Sequence, residues 1–160
     1  MIKNVIFDLG NVLINNDPSE YIKALGYSKE KSEALNEAIS SDTLWHDKDM
    51  GIYERAKELG YSIYLLTTYS IDGFAHLESS FDFIREVQGR VVSSHIHLCK
   101  PDKRIYELLL DKYDLKASEC IFFDDNLANI MAAEELGIQA VLFIDIEEAL
   151  KILEQSQKQF

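Results

Sequence analysis

The strongest constraint on this chain is a pattern: short apolar runs alternate with amphipathic stretches along most of its length. Ile2–Phe7, Ser62–Leu66, Arg90–Ser93, Cys120–Phe123 and Ala140–Phe143 read as short buried strands. None shows the in–out alternation of a strand with one wet face, so both faces of the sheet are expected to be covered. Between the runs lie helices with visible start and stop signals. Pro101 opens one whose buried stripe is Ile105, Leu108, Leu109 and Tyr113. Asn126 caps another that ends at Gly137, and Ile52–Leu59 stops at Gly60. Alternation of this kind predicts an α/β fold built on a doubly wound, mostly parallel sheet.

One segment breaks the alternation. From Ile14 to about Met50 strand signals stop. Asp17-Pro18-Ser19-Glu20 reads as a helix start and Gly26 as its stop, while Ser28 caps a second helix carrying Ala34, Leu35, Ala38 and Ile39. Residues 14–50 are therefore expected to form a small helical insert after the first strand, in a Rossmann-like core made of residues 1–13 and 51–160.

Composition narrows the function classes. With 160 residues, 47% apolar and 11% aromatic, the chain can bury one sizeable core and carries no signature of disorder. No apolar run approaches membrane-spanning length and no signal-peptide pattern is visible, so no membrane association is expected. A net charge of −12 argues against nucleic acid and anionic membrane surfaces as partners. Cys99 and Cys120 are too few for a disulfide framework or a zinc site, and read as reduced thiols of a cytoplasmic protein.

The polar residues at the strand ends carry the chemistry. Ile6-Phe7 runs into Asp8, then Leu9-Gly10-Asn11. Leu65-Leu66 runs into Thr67-Thr68, the third strand leads through His-Ile-His-Leu-Cys to Lys100-Pro101, and Phe122-Phe123 runs into Asp124-Asp125. Taken singly, each has an ordinary structural use as a helix cap, a strand residue or a helix start. In a parallel sheet, however, these ends gather on one edge, where ligands bind. Adjacent carboxylates at the end of a core strand are costly unless a cation justifies them. Mg²⁺ suits hard oxygen ligands and takes few carboxylates together with substrate phosphate. Thr67 and Lys100 suit phosphate oxygens, and Gly10 would let backbone N–H groups approach an anion. Asp8 is then a carboxylate facing a neutralised phosphorus, the arrangement for nucleophilic attack through an aspartyl-phosphate.

These residues resemble the haloacid dehalogenase superfamily of hydrolases. "VIFDLGNVL" looks like its first motif, "YLLTT" its second, "CKPDKRIY" its third and "FFDDNLANIMAAEELGI" its fourth. The motifs are most similar to those of the sugar-phosphate-type phosphatases whose first motif also reads Asp-Leu-Gly-Asn. That resemblance implies a Mg²⁺-dependent phosphatase acting on a small phosphorylated substrate. Asp8 would be nucleophile and metal ligand, the Gly10 carbonyl and Asp124 further ligands, and Asp125 the holder of a metal-bound water or an orienting group. Thr67, Thr68 and Lys100 would bind the phosphoryl group, with Lys100 also pairing the carboxylates.

The sequence departs from the family pattern in four places. Gly10 stands where most of its phosphatases carry an acid, Thr68 where many relatives have Asn, and His97 near a usual Gly. Residues 14–50 resemble only the first part of a helical cap. A reduced cap is expected to leave an open, weakly selective site, or to expose Tyr21, Ile22, Leu25, Leu35, Ile39 and Trp45 for a homodimer to cover. A metal-free dehalogenase of the same superfamily is disfavoured by the Asp124-Asp125 pair. A signalling receiver domain uses a similar chemical set, but there Lys-Pro follows the acidic pair; here it precedes it. The remaining alternative is a catalytically weak or inactive relative that binds phosphate or a partner.

Overall fold

The structure, a computed structural model, describes residues 1–14, 26–39 and 46–158, with the side chains of residues 35–39, 46–49 and 158 left aside. Its centre is a sheet of five parallel strands: β1 (Asn4–Phe7), β2 (Ser62–Thr67), β3 (Gly89–Val92), β4 (Cys120–Asp124) and β5 (Gln139–Leu142). The order across the sheet is β3-β2-β1-β4-β5, and every pairing is parallel. The chain therefore winds outward from β1 in both directions, which makes the centre of the sheet's carboxyl edge the natural ligand position.

Side chains alternate across this sheet between two apolar cores, as the pleat requires. Val5, Phe7, Ile63, Leu65, Ile121 and Phe123 belong to one. Ile6, Tyr64, Leu66, Cys120 and Phe122 belong to the other. The central strands are buried on both faces and show no polar alternation, which is what the apolar runs predict, whereas the edge strand β5 is only partly covered, with Gln139 and Leu142 exposed.

Helices cover both faces. After α1 (Lys29–Ile39) comes α2 (His46–Glu58), which packs with α8 (Ile146–Lys158) on the first core through Ile52, Tyr53, Ala56, Ala149 and Leu153. The other core is closed by α6 (Lys103–Lys112) and α7 (Leu127–Glu134) through Ile105, Tyr106, Leu109, Ile130 and Ala133. Between β2 and β3 lie α3 (Ile71–Ser80) and α4 (Phe83–Glu86), and α5 (Ser93–Ile96) follows β3 directly.

The boundary signals act as expected, with local shifts. Gly60 (φ 79°) and Gly137 (φ 82°) take the left-handed conformation past α2 and α7, where a side chain would be strained. Asn126 caps α7 by accepting from the N–H of Ala128 at 2.9 Å. The helix expected to open on Pro101 starts two residues later, because Asp102 takes the cap by accepting from the Arg104 N–H at 3.0 Å. Its buried stripe includes Tyr106, with Leu108 and Tyr113 only half-buried.

Within the expected insert, Ser28 accepts from the Lys31 N–H at 3.4 Å at the start of α1. The helix α2 crosses positions 50 and 51, where the insert was expected to give way to the core. The first insert helix lies outside the described residues, as do Tyr21, Ile22, Leu25 and Trp45 and the side chains of Leu35, Ile39 and His46. No helix among the described residues is long and apolar enough to cross a membrane.

Candidate active site

The register of the sheet brings the first acids together. Phe7 pairs with Phe123, their rings stacked 5.6 Å apart, so Asp8 and Asp124 reach the sheet's central edge side by side. The Asp8 N–H donates to the Phe123 carbonyl at 3.0 Å, fixing this geometry in the backbone. Between the two carboxylates lies the Lys100 ammonium, 2.9 Å from Asp8 Oδ1 and 2.6 Å from Asp124 Oδ2. Lys100 is 2% exposed and Asp124 0%, so these are charges taken out of water. Such charges persist only when paired and hydrogen-bonded.

Asp124 meets that condition fully. Its Oδ1 accepts from the Asn126 N–H at 2.8 Å, and the Asn129 amide donates to both oxygens at 2.9 and 3.0 Å. Asp8 is less sheltered, with its side chain 13% exposed and its Oδ1 also accepting from the Leu9 N–H at 2.8 Å. Burial pushes the Asp8 carboxyl above its ordinary value; Lys100 works against that shift, and Asp124 adds to it.

Asp125, next in the chain, is exposed, and its Oδ2 accepts from the Asn11 amide at 3.1 Å. One oxygen from each of Asp8, Asp124 and Asp125 lies within 4.8 Å of the others. Against three carboxylates stands one ammonium, leaving two negative charges uncompensated in the cluster. This donor set fits a divalent cation of the hard, oxygen-seeking kind, which would remove the repulsion that makes Asp124-Asp125 costly.

Asp8, Lys100 and Asp125 face a polar pocket of about 270 Å³, with Asp124 buried behind them. Asp8, Gly10, Asn11, Thr68, Tyr69, Lys100, Pro101, Asp125, Asn126 and Asn129 line it. The two threonines divide: Thr68 is exposed on the pocket wall, whereas Thr67 is buried at the end of β2 with its Oγ1 lacking a hydrogen-bond partner. Tyr69 also reaches the pocket, its phenol pushed up to about 12 by burial and by Asp8.

Sequence reasoning named every charged member of this cluster, but not Asn11, Asn129 or Tyr69 as site residues. For Asn129 a signal existed: Asn126 and Asn129 are three apart, the spacing that places both on one side of a first helical turn. Asn11 gave no comparable signal, because its partner is 114 residues away.

Fold and cluster together define a Rossmann-like α/β protein with an acidic, lysine-braced site at the centre of its sheet's carboxyl edge. The haloacid dehalogenase-like hydrolase model matches residues 22–137, and the chain belongs to that family. The match begins after Asp8, so it does not include the first motif. Among curated relatives, the bifunctional epoxide hydrolase 2 of Sus scrofa is 30% identical over 103 residues, 62% of this chain and 19% of that protein. The sesquiterpene phosphatase astK of Aspergillus oryzae is 30% identical over 89 residues, 56% of this chain and 45% of that protein. The chain thus spans about a fifth of the first relative and under half of the second. A HAD family enzyme from Bacteroides thetaiotaomicron, solved with magnesium and inorganic phosphate, superposes with a TM-score of 0.63 at 18% identity, covering 89% of this chain and 94% of that one. That likeness is one of fold.

Proposed function

We propose that the chain is a Mg²⁺-dependent phosphatase that hydrolyses a small phosphate monoester, of the sugar-phosphate type, through an aspartyl-phosphate on Asp8. The observation that carries this reading is the position of Asp8: on a pocket wall, braced by Lys100, beside two further carboxylates. Its Oδ1 already accepts from Lys100 and the Leu9 N–H, so attack is assigned to Oδ2. That oxygen bonds to phosphorus as the ester P–O bond breaks, and the departing alkoxide takes its proton from solvent. Water then attacks the phosphorus, the P–O bond to Asp8 breaks, and inorganic phosphate leaves.

In this reading Asp8, the Gly10 carbonyl, Asp124 and Asp125 hold the metal, which when bound offsets the charge of substrate and nucleophile. Lys100 anchors Asp8 and gives the phosphoryl group a fixed positive charge. Thr68 offers its hydroxyl on the pocket wall, and Thr67 supplies a buried hydroxyl whose hydrogen-bonding capacity is unspent. Residues 14–50 serve as a reduced cap. The name of the fungal relative and the magnesium and phosphate bound by the Bacteroides enzyme support this assignment.

The test is hydrolysis of an aryl phosphate with and without Mg²⁺. Asp8→Asn should abolish the Mg²⁺-dependent rate while circular dichroism stays that of the wild type, because an amide is not the required nucleophile. Undiminished turnover in that variant would overturn the assignment.

A further inference from the structure

The loop after β1 turns on Asn11, whose φ of 58° lies in the left-handed region. A β-carbon is strained there and glycine is at ease; asparagine is among the few residues that tolerate it. What asparagine adds over glycine is an amide, and that amide donates from Nδ2 to Asp125 Oδ2 at 3.1 Å. The turn that carries it is fixed independently. The Leu9 carbonyl accepts from the N–H groups of Leu13 (3.0 Å) and Ile14 (2.9 Å), and the Asn11 N–H donates to the Ile14 carbonyl at 2.8 Å.

Asp125 needs such a tether more than its neighbours do. Asp8 and Asp124 are both ion-paired to Lys100, whereas none of the ion pairs among the described residues includes Asp125. It is exposed, and two like charges lie within 4.8 Å, so repulsion and solvation both draw its carboxylate outward. We infer that Asn11 is a positioning residue for Asp125: its amide ties the loop after β1 to the loop after β4 and holds the third carboxylate turned toward the other two. A neutral amide does this without changing the charge of the cluster. Arginine or lysine would compete with a cation, and aspartate would add repulsion.

The inference rests on the metal-dependent reading above, so its test measures metal binding directly, without substrate. Asn11→Gly keeps the left-handed backbone and deletes only the amide, so metal-free thermal stability should not fall. Isothermal titration of the full chain with Mg²⁺ should then show affinity weakened about tenfold or more, the scale of losing an orienting partner of a metal ligand. Asp125→Ala should weaken binding too, and adding Asn11→Gly to it should cost nothing further, because Asn11 acts through Asp125. Wild-type affinity in Asn11→Gly, or losses that simply multiply in the double variant, would overturn the inference and leave the functional reading standing. No Mg²⁺ binding by the wild type would overturn that reading itself, and this inference with it.

Discussion

Among the described residues that line the pocket, only Asp8 and Asp125 are acids, and each already has a task in the proposed mechanism. Asp8 is the proposed nucleophile, and Asp125 is engaged by Asn11. Tyr69 carries a proton, but a phenol pushed up to about 12 lies far above the near-neutral range where general acids work best. With Gly10 in the place where the family resemblance implies an acid, the described residues of the pocket offer no proton donor poised near neutral pH for a departing alkoxide. General acid–base assistance is worth ~10²–10⁴ in rate, and its absence should be felt most where the leaving group is poor. An aryl phosphate should therefore be hydrolysed at least about a hundredfold faster than an alkyl phosphate. With the aryl substrate the second half-reaction should lag, so a rapid-quench time course should show a burst and accumulating phospho-Asp8. Gly10→Asp should narrow the gap and shorten the burst. Equal wild-type rates on both substrates, with no burst, would mean that another group supplies the proton.

The elements contribute through their ends. The first turn of α7 delivers both Asn126 and Asn129 to Asp124, and it is organised by the Asn126 side chain capping Ala128. Asn126→Ala removes that cap but keeps the backbone N–H bond to Asp124 Oδ1, so it separates helix stability from carboxylate support. Loss of an asparagine cap should cost about 1 kcal/mol in urea unfolding, with activity falling far less than in Asp8→Asn. A variant as stable as the wild type would mean that α7 is held by packing alone. How much of this was legible follows from which interactions are local. The central strands stood out because both of their faces are buried, leaving uninterrupted runs such as Cys120–Phe123. Caps such as Asn126 were legible because donor and acceptor are two residues apart. By contrast, α3 and α4 give no clean stripe: α3 buries only Phe74, exposes Ile71 and is braced through its Glu78 by Arg90 of β3. The Asn11–Asp125 tie and the division of labour between Thr67 and Thr68 depend on how loops meet, which no local pattern encodes.

At the scale of the whole molecule, the two apolar cores enclose ionisable groups that must stay neutral. Burial raises the Cys120 thiol to about 11 and the Tyr69 phenol to about 12, and it also raises Tyr53, Tyr61, Tyr64 and Tyr106. All of these shifts have one sign: the folded state holds its protons more tightly than the unfolded chain. Their contribution to stability is complete below the unfolded values, near pH 9 for a cysteine and pH 10 for a tyrosine, and is lost as pH rises through the folded ones. From neutral pH up to about pH 9 the urea midpoint should therefore be nearly flat, and it should fall steeply between pH 9 and 12. Growing net negative charge also destabilises the fold at high pH, so the thiol's share needs its own control. Cys120 is buried at the start of β4, where its Sγ donates to the Lys116 carbonyl at 3.3 Å, and valine fills a similar space without a titrating proton. Cys120→Val should retain more of its neutral-pH stability than the wild type does between pH 9 and 11, and the two curves should run parallel again above that window. Curves that stay parallel throughout would show that ionisation of this thiol plays no part in alkaline unfolding.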